Sequence, residues 1–554
     1  NDTTKQTYFQ ADYNASFSAA GYHTLKVGGG IRHNQNDVDS RYPGGRVLLY
    51  WDSAVESTVP GVPISRGTYG YYTVDNLGTF GEAAANISHF YAQDQWSVGR
   101  LTLNLGVRLE DEKIPAFRDR DVAIHFGWGE KIAPRIGAAY DVFGDGRTKL
   151  FGSYGRYYDW TKYELARGTF GGDIWTTYYR PLDDPSIINS INLDNMPGRD
   201  LWGNAAGYQD HRVPSFGTDQ LDPNMKPMSQ DSFSGGFEHQ LAPSMLLSVN
   251  YIHNNLIRTI EDVGQLIDGS EVYVYGNPGE GIVTDAFRST ATGPFEVPRP
   301  KRQYDALQVS LNRRFSGNWF AGGSYVLSRL YGNYAGLASS DEIRTPGFSS
   351  FAVDQQQGAQ SFRPGGNATR GFDLDEMMWD SHGNLNPTGR LATDRPHVLK
   401  MYGAYIAPFG TQIGLNQYVG SGTPLTTYVR TINATEVFVE GRGDLGRTPM
   451  LATTDLLLSH EFGVRNTQRM RFELNVLNLF NQKTVRHTFN LLNRNRSAAS
   501  INLANQDLAK EYDYRAMINN TTDGRNGIGY EPRFGMDDLW SEGTTAHFMV
   551  KFLF

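Results

Sequence analysis

Apolar and polar residues alternate one by one in several stretches of the chain. In the clearest stretch, RLTLNLGVRLED at 100–111, apolar residues occupy every odd position from Leu101 to Leu109. A period of two over this length predicts a β-strand with one apolar and one polar face. The same alternation recurs at 247–252, 307–312 and 470–476, and it is ambiguous at 397–407. The pattern predicts an all-β protein.

Tight-turn sequences join the predicted strands in pairs. Gly, Pro, Asn and Asp cluster in short segments at 18–21, 97–100, 143–147, 241–244, 316–318, 407–410 and 463–466. These residue types suit tight hairpins. The pairs are separated by long connections, at about 35–84, 112–130, 159–228, 257–302, 330–394, 420–451 and 482–542. Short and long connections therefore alternate along the chain.

Alternating connection lengths are typical of outer-membrane β-barrels. Such barrels have short periplasmic turns, long extracellular loops and strands of ~10 residues whose apolar side chains face lipid. Closure of the sheet also removes exposed strand edges. Aromatic residues beside the turns would form a girdle at the periplasmic interface, namely Trp96, Phe143, Phe315, Trp319, Phe409 and Phe462. We predict a transmembrane antiparallel β-barrel.

The pattern predicts about 15 strands, from one at 7–17 to one at 543–554. Bacterial single-chain barrels have an even number of strands, with both ends on the periplasmic side. With 15 strands, the first and the last would both run towards the periplasm. We therefore expect residues 1–554 to be the C-terminal part of a larger barrel, and a barrel of 22 strands would satisfy the parity.

Composition narrows the classes of protein and partner. No segment approaches the ~18 consecutive apolar residues of a membrane-spanning helix. The chain has no cysteine, which excludes disulfides and thiolate metal sites. A net charge of -8 and a pI near 5.9 argue against nucleic acid as the main partner. Aromatic residues make up 13% of the chain, and the many tyrosines suit sites that are apolar at one end and wet at the other.

The long connection at 159–228 is rich in aromatic residues. Aromatic faces bind sugar rings or hydrophobic peptide side chains, so we predict a ligand-binding surface in this connection. The alternative is that the rings pack the loop against its neighbours. The predicted binding residues are Trp160, Tyr163, Trp175, Tyr178, Tyr179 and Trp202.

Acidic residues cluster in FDLDEMMWDSHGN at 372–384. Several carboxylates close together suit an oxygen-ligated calcium ion, although the spacing is not that of an EF-hand. A solvated acidic loop is the alternative. The predicted calcium ligands are Asp373, Asp375, Glu376 and Asp380.

Other motifs do not predict catalysis. GSYG at 152–155 lacks the spacing of a nucleophile elbow, and GGG at 28–30 lacks that of a phosphate loop. We predict that the chain is not an enzyme. Charged residues in the alternating strands should face the lumen, where they would contact a plug, set ion preference or only line water; they are Arg108, Glu110, Arg471 and Glu473.

Four stretches resemble the barrel of TonB-dependent outer-membrane receptors, in particular the Oar-like branch. They are FYAQDQWSVGRLTLNLGVRLEDEKIP at 90–115, PRIGAAYDVFGDGRTKLFGSYGRYYD at 134–159, DRPHVLKMYGAYIAPFG at 394–410 and FELNVLNLFNQ at 472–482. The resemblance implies a 22-strand barrel in the bacterial outer membrane, plugged by an N-terminal domain and energised by the TonB complex. Residues 1–554 contain no stretch that resembles the plug or the TonB-contacting segment, so the resemblance covers the barrel portion.

The implied function is uptake of a ligand that long extracellular loops bind and the lumen conducts. The implied partners are the plug domain, the TonB complex, the barrel assembly machinery, outer-membrane lipid and lipopolysaccharide, with other surface proteins also compatible. A passive channel and a structural or secretion-associated barrel remain as alternatives.

The stretch TAHFMVKFLF at 545–554 alternates in the same way as the earlier strands. It predicts a last strand with one apolar face turned to lipid. The resemblance adds that such a terminal strand is the signal by which barrels are recognised for membrane insertion. The residues of this signal are Phe548, Val550, Phe552 and Phe554, and we expect Phe554 to mark the C-terminus of the barrel.

Overall fold

The computed structural model describes residues 2–115, 124–161, 173–211, 221–267, 270–284, 288–289, 293–336, 372, 375–431, 436–465, 468–494, 499–503, 506–520 and 529–553. Its largest unit is a 19-stranded sheet. Four of the 19 are short strands in the long connections, at Arg46–Trp51, Asp173–Pro181, Gln209–Asp210 and Gly389–Arg390. The other 15 are the long strands of a barrel wall, and the predicted number is confirmed.

The long strands are β1 (Asp2–Ser18), β2 (Tyr22–Arg41), β3 (Gly70–Val98), β4 (Leu101–Ile114), β5 (Ile124–Asp141), β6 (Thr148–Tyr158), β7 (Ser229–Ala242), β8 (Met245–Arg258), β9 (Arg302–Ser316), β10 (Trp319–Gly332), β11 (His397–Ile406), β12 (Thr411–Gly420), β13 (Leu451–Arg465), β14 (Gln468–Leu477) and β15 (Thr545–Leu553).

Each long strand pairs antiparallel with the next one along the chain. The predicted tight turns join them at one end of the sheet; only two residues separate β3 from β4 and β7 from β8. The long connections lie at the other end. Among the described residues β1 pairs with β2 alone and β15 with β14 alone, so the described part of the sheet has two edges.

One face of the sheet is apolar and exposed. Phe9 of β1 is 71% exposed and Phe548 of β15 is 68% exposed, and a continuous apolar face of this kind needs lipid rather than water around it. The predicted girdle residues Phe143, Phe315, Trp319, Phe409 and Phe462 are exposed beside the tight turns, whereas Trp96 is half-buried against His23. The opposite, polar face lines the lumen.

Glycines in β2 make room for polar side chains on the luminal face. A Cβ on Gly28 would lie 2.4 Å from Asp12 Oδ1 and 2.7 Å from Tyr91 Oη, and one on Gly30 would lie 2.4 Å from the Phe9 carbonyl oxygen. Tyr91 donates to Asp12 across this gap. The GGG stretch therefore allows close packing of β1, β2 and β3.

The connection predicted at 35–84 is shorter than expected. β2 continues to Arg41, and β3 begins at Gly70 and runs for 29 residues. Both faces of this extension meet water or other loops, so its side chains need not alternate, and the pattern could not mark it as strand. The outer ribbon, made of Arg46–Trp51, residues 70–79 and Asp173–Pro181, extends the sheet on the extracellular side.

The connections after β8, β10, β12 and β14 fold together into a cap. Their small elements are the α-helices α1 (Asp375–Met378) and α2 (Tyr514–Asn520), the 3₁₀ turn Gly281–Val283, and four antiparallel strand pairs: Glu261–Ile267 with Ser270–Gly276, Arg288–Ser289 with Gly293–Pro294, Val429–Arg430 with Glu436–Val437, and Val485–Thr488 with Asp537–Trp540. A further 3₁₀ turn, Pro185–Ser190, lies beside the outer ribbon. No helix in the described ranges is long and apolar enough to cross a bilayer.

The cap has its own apolar core, the cap cluster. Each large buried side chain in such a core stabilises it by about 1.5–3 kcal/mol. The cluster joins all four connections, with Leu256 of β8 at its base; its other members are Val263, Val283, Val297, Tyr334, Phe372, Met377, Met378, Trp379, Val429, Val437, Val439, Leu492, Ile501, Leu503, Leu508, Tyr512, Tyr514 and Ile518. The largest water-excluded core of the described chain therefore lies outside the membrane.

Candidate functional site

A buried lysine lies between two glutamates on the luminal face of β4 and β5. Lys131 Nζ is 2.8 Å from a Glu112 oxygen and 3.2 Å from a Glu110 oxygen, and its side chain is fully buried. Arg108 Nε donates to Glu110 at 2.8 Å. Arg108 and Glu110 face the lumen, as predicted. The role of Lys131 could not be predicted from the sequence, because this residue directly follows the predicted connection at 112–130.

This cluster holds the first residues of the connection after β6. Trp160 Nε1 donates to Glu110 at 3.2 Å, and the backbone N–H of Thr161 donates to Glu112 at 2.9 Å. The Arg32 guanidinium lies 3.6 Å from the centre of the Trp160 ring, a cation–π contact. Trp160 is thereby fixed against the luminal wall.

A row of stacked aromatic rings crosses the outer ribbon. Tyr50 and Tyr71 stack with 4.5 Å between ring centres, Tyr71 lies 6.3 Å from Tyr179, and Tyr179 stacks on Trp202 at 5.0 Å. Tyr50 is exposed at one end and Trp202 is buried at the other. Burial raises the pKa of Tyr179 to about 12, so this ring in the middle of the row stays uncharged at neutral pH.

The structure places the predicted ligand-binding residues in three surroundings. Tyr179 and Trp202 belong to the stacked row. Trp175, on the same short strand as Tyr179, stacks on His211 at 4.9 Å, and Tyr178 packs against Tyr208 at 5.3 Å. Trp160 is held at the wall, and Tyr163 lies outside the described residues. Ligand binding by these side chains stays a prediction.

The predicted calcium ligands are only partly described. Asp373 lies outside the described residues, and Asp375 begins helix α1. Glu376 is buried, and Asp380 Oδ1 accepts from the backbone N–H groups of His382 and Asn384 at 3.0 and 2.9 Å. In the described ranges, no three His, Asp or Glu side chains are grouped so that they could hold a metal ion. Calcium binding stays a prediction.

Two charged residues tie the cap connections together. Arg442 is half-buried, donates to the Asn333 carbonyl oxygen at 2.7 Å and lies 4.7 Å over the Phe438 ring; desolvation of its guanidinium lowers the pKa of that group. Glu440 accepts from Tyr514 and, at 3.1 Å, from His382. Burial alone would raise the pKa of the Glu440 carboxyl, but these two hydrogen bonds, together with the attraction of His382 and Arg515, outweigh burial and lower the pKa.

A cavity of about 740 Å³ opens where the luminal wall meets the cap. Its volume lies within the ~300–1,000 Å³ typical of small-molecule sites. Strands β7 to β11, the residue that follows β6 and the segment before β11 line it. The lining residues are Asp159, Gln230, Asn254, Arg302, Tyr304, Gln308, Ser324, Val326, Ser328, Leu330, Thr393, Asp394, Arg395, Val398 and Lys400. The cavity could not be predicted from the sequence because its lining residues come from several strands and no single strand carries the pattern.

The predicted insertion signal lies on the lipid face of β15. Phe548, Val550 and Phe552 are exposed there, and Phe548 stacks on Phe472 of β14 at 6.1 Å. Lys551 points the other way and donates to Glu473 at 3.0 Å. Phe554 lies outside the described residues. A role of these residues in insertion stays a prediction.

Comparisons with known proteins agree with this architecture. Residues 121–426, more than half of the chain, match the family described as "Outer membrane beta barrel domain". The chain is 29% identical over 524 residues to the TonB-dependent transporter Oar of Myxococcus xanthus; the match covers 87% of this chain and 45% of that protein. The chain thus spans less than half the length of this curated relative.

A solved structure shows the same fold. The outer membrane transporter YddB from Escherichia coli superposes with a TM-score of 0.52 at 13% identity, over 88% of this chain and 52% of that one. The resemblance to TonB-dependent receptors of the Oar-like branch is confirmed by the relative, and the outer-membrane location by the family match. The chain therefore belongs to the outer membrane β-barrel domain family.

Proposed function

We propose that the chain forms the wall and extracellular cap of a TonB-dependent outer-membrane transporter, which binds a ligand outside the cell and passes it through the lumen. The observation that carries the proposal is the polar cavity at the luminal wall, because its volume of about 740 Å³ suits a small ligand held by side chains of several neighbouring strands. The similarity to a protein named TonB-dependent transporter supports the same role. Transport, not catalysis, is the proposed activity.

The proposed partners follow from this role. A plug domain would fill the lumen against the charged wall, including Glu110 and Lys131, and the TonB complex would supply energy. Lipopolysaccharide and lipid would cover the exposed apolar face, and the barrel assembly machinery would insert the strands. Further strands would pair with the edges formed by β1 and β15 to close a 22-strand barrel.

The test uses the complete gene product. We expect the reading frame before Asn1 to encode further strands, a plug and a TonB-contacting segment. The purified protein should bind the C-terminal domain of TonB and should show no steady ion conductance in a planar bilayer. Steady conductance together with no TonB binding would contradict the proposal and would identify a passive channel.

A further inference from the structure

Seven polar side chains face the cavity at the top of the luminal wall without using their hydrogen-bonding groups. Within the part of the chain that the structure describes, none of them has a hydrogen bond or an ion pair, and Asn254 Oδ1 is a buried acceptor without a donor. The seven are Gln230, Asn254, Arg302, Tyr304, Gln308, Ser324 and Lys400.

Several polar side chains elsewhere on the luminal face are paired with one another. Tyr91 donates to Asp12, Lys149 lies 2.7 Å from Glu238, and Lys551 donates to Glu473. Of the seven, Gln230 and Lys400 are exposed and the others are half-buried, whereas the Asn254 Oδ1 atom itself is buried. A ligand in the cavity would therefore replace water on most of these groups and would supply the missing donor to Asn254 Oδ1.

Strand register brings these side chains into one patch. Asn254 of β8 lies directly across from Tyr304 of β9, and Ser324 of β10 lies directly across from Lys400 of β11. Directly opposed residues have Cβ atoms about 4.5–5.5 Å apart. Gln308 of β9 lies directly across from Val326 of β10, and Val326 adds an apolar side chain to this patch.

The acid in the roof of the cavity is neutralised. Asp394 is buried and accepts from the Leu330 backbone N–H at 2.6 Å, while Arg390 and Arg447 form ion pairs with it. Arg395 is tied to the Ser421 carbonyl oxygen at 2.6 Å. Lys400 and Arg302 are thus left as unpaired cations beside one further acid, Asp159, and the cavity carries a net positive charge.

We propose that this cavity binds an acidic saccharide of about disaccharide size. Lys400 and Arg302 would hold its carboxylates, the amides of Gln230, Asn254 and Gln308 with Ser324 would bind ring hydroxyls, and the Tyr304 ring would pack against a sugar face. The role of this saccharide as the transported ligand rests on the proposed function, but its binding does not.

The experiment measures binding to the complete protein in lipid nanodiscs by calorimetry. The probes are digalacturonate and its uncharged counterpart galabiose, so that only the carboxylates differ. We expect saturable binding of digalacturonate that weakens as salt is added, and much weaker binding of galabiose. Equal binding of the two sugars, or no saturable binding of digalacturonate, would overturn the proposal.

Variants locate the site. Lys400→Gln and Arg302→Gln should each weaken digalacturonate binding about tenfold or more, because each removes a charge-assisted hydrogen bond. Gln308→Leu should weaken binding of the sugar without changing the charge. The control is Lys149→Gln, which removes a luminal cation at the periplasmic end, outside the cavity lining. An equal loss in the control would overturn the assignment.

Uptake is measured separately from binding. Cells with and without TonB receive labelled digalacturonate. Binding without TonB-dependent uptake would keep the saccharide site and overturn the transport role for this ligand. TonB binding by a protein that binds no digalacturonate would keep the transporter and overturn the saccharide site.

Discussion

Lys131 is fully buried, so its charge is stabilised by protein groups alone. Glu110 and Glu112 supply the compensating charge, and Glu112 also holds the Thr161 backbone. A buried ion pair adds little over an apolar pair, but loss of one member leaves a charge without compensation. The cluster therefore links the wall to the start of a long connection. Loss of any one charged member is expected to weaken the contacts of the others.

Replacing Lys131 tests this link. Lys131→Met should lower the free energy of unfolding by about 3–5 kcal/mol because Glu110 and Glu112 would then repel each other in a buried place. Denaturant titration followed by gel mobility measures the change. Lys149→Met, which removes the more exposed partner of Glu238, should cost at most about 1 kcal/mol. Similar losses in both variants would show that Lys131 is solvated.

Glu440 makes the cap sensitive to acid. Because its folded pKa is lowered, the carboxylate contributes stability above its ordinary pKa, and this contribution is lost as the pH falls through the lowered value. Arg515, 3.6 Å away, acts in the same direction. We expect the cap to become sensitive to protease as the pH is lowered from about 6 to about 3.

Glu440→Gln serves as the matched variant for the acid effect. It keeps the shape of the side chain but removes the titrating charge, so its protease sensitivity should depend less on pH than that of the original protein. Limited proteolysis across the pH series makes the comparison. Parallel pH curves for the two proteins would assign the effect to other carboxyls.

At the scale of strands, the two faces of β15 meet different solvents. Phe548 stacks on Phe472 towards lipid, whereas the next residue, Met549, lies directly across from the luminal Glu473. A charged side chain on the lipid face of β15 should therefore destabilise the barrel, whereas one on the luminal face should be tolerated.

A pair of neighbouring substitutions tests the register of β15. Phe548→Arg should destabilise the barrel by about 2–4 kcal/mol if its depth is near the middle of the bilayer. Met549→Arg, one residue away, should cost much less because it meets water beside Glu473. The amount of folded protein in outer-membrane fractions provides the measurement. Equal loss in both variants would show that the faces are assigned wrongly.

The strands and tight turns could be predicted from the sequence. Lipid on one face and water on the other require apolar and polar residues to alternate, and this alternation is visible within each single strand. The outer ribbon could not, since both of its faces lie outside the bilayer and residues 70–84 carry no such signal. The same holds for contacts between distant connections, such as Tyr179 with Trp202 or Arg442 with Asn333. Such contacts depend on which connections pack together above the wall. The local sequence pattern of one connection does not show which other connection it will contact.

At the scale of the whole molecule, two parts are held together by different forces. The wall consists of backbone ladders in lipid, whereas the cap consists of connections around an apolar core in water. Urea weakens burial of apolar groups in water, and membrane barrels resist it because lipid leaves no alternative partner for their backbone groups. We therefore expect the cap to unfold first.

Two probes distinguish the parts during urea unfolding. Trp379 lies in the cap cluster and Trp319 lies beside a periplasmic turn. In single-tryptophan variants, the Trp379 emission should change at lower urea than the Trp319 emission and the gel mobility of the barrel. Coincident transitions of all three signals would show that the cap and wall unfold as one unit.

The length of β3 has a consequence for the cell surface. Its 29 residues correspond to roughly 95 Å of strand at about 3.3 Å per residue, of which about 10 residues suffice to cross the bilayer. The outer ribbon thus carries the rings of Tyr50 and Tyr71 well away from the lipid. These rings are therefore placed on the extracellular surface, where an antibody, a bacteriophage or a neighbouring cell could contact them without entering the pore.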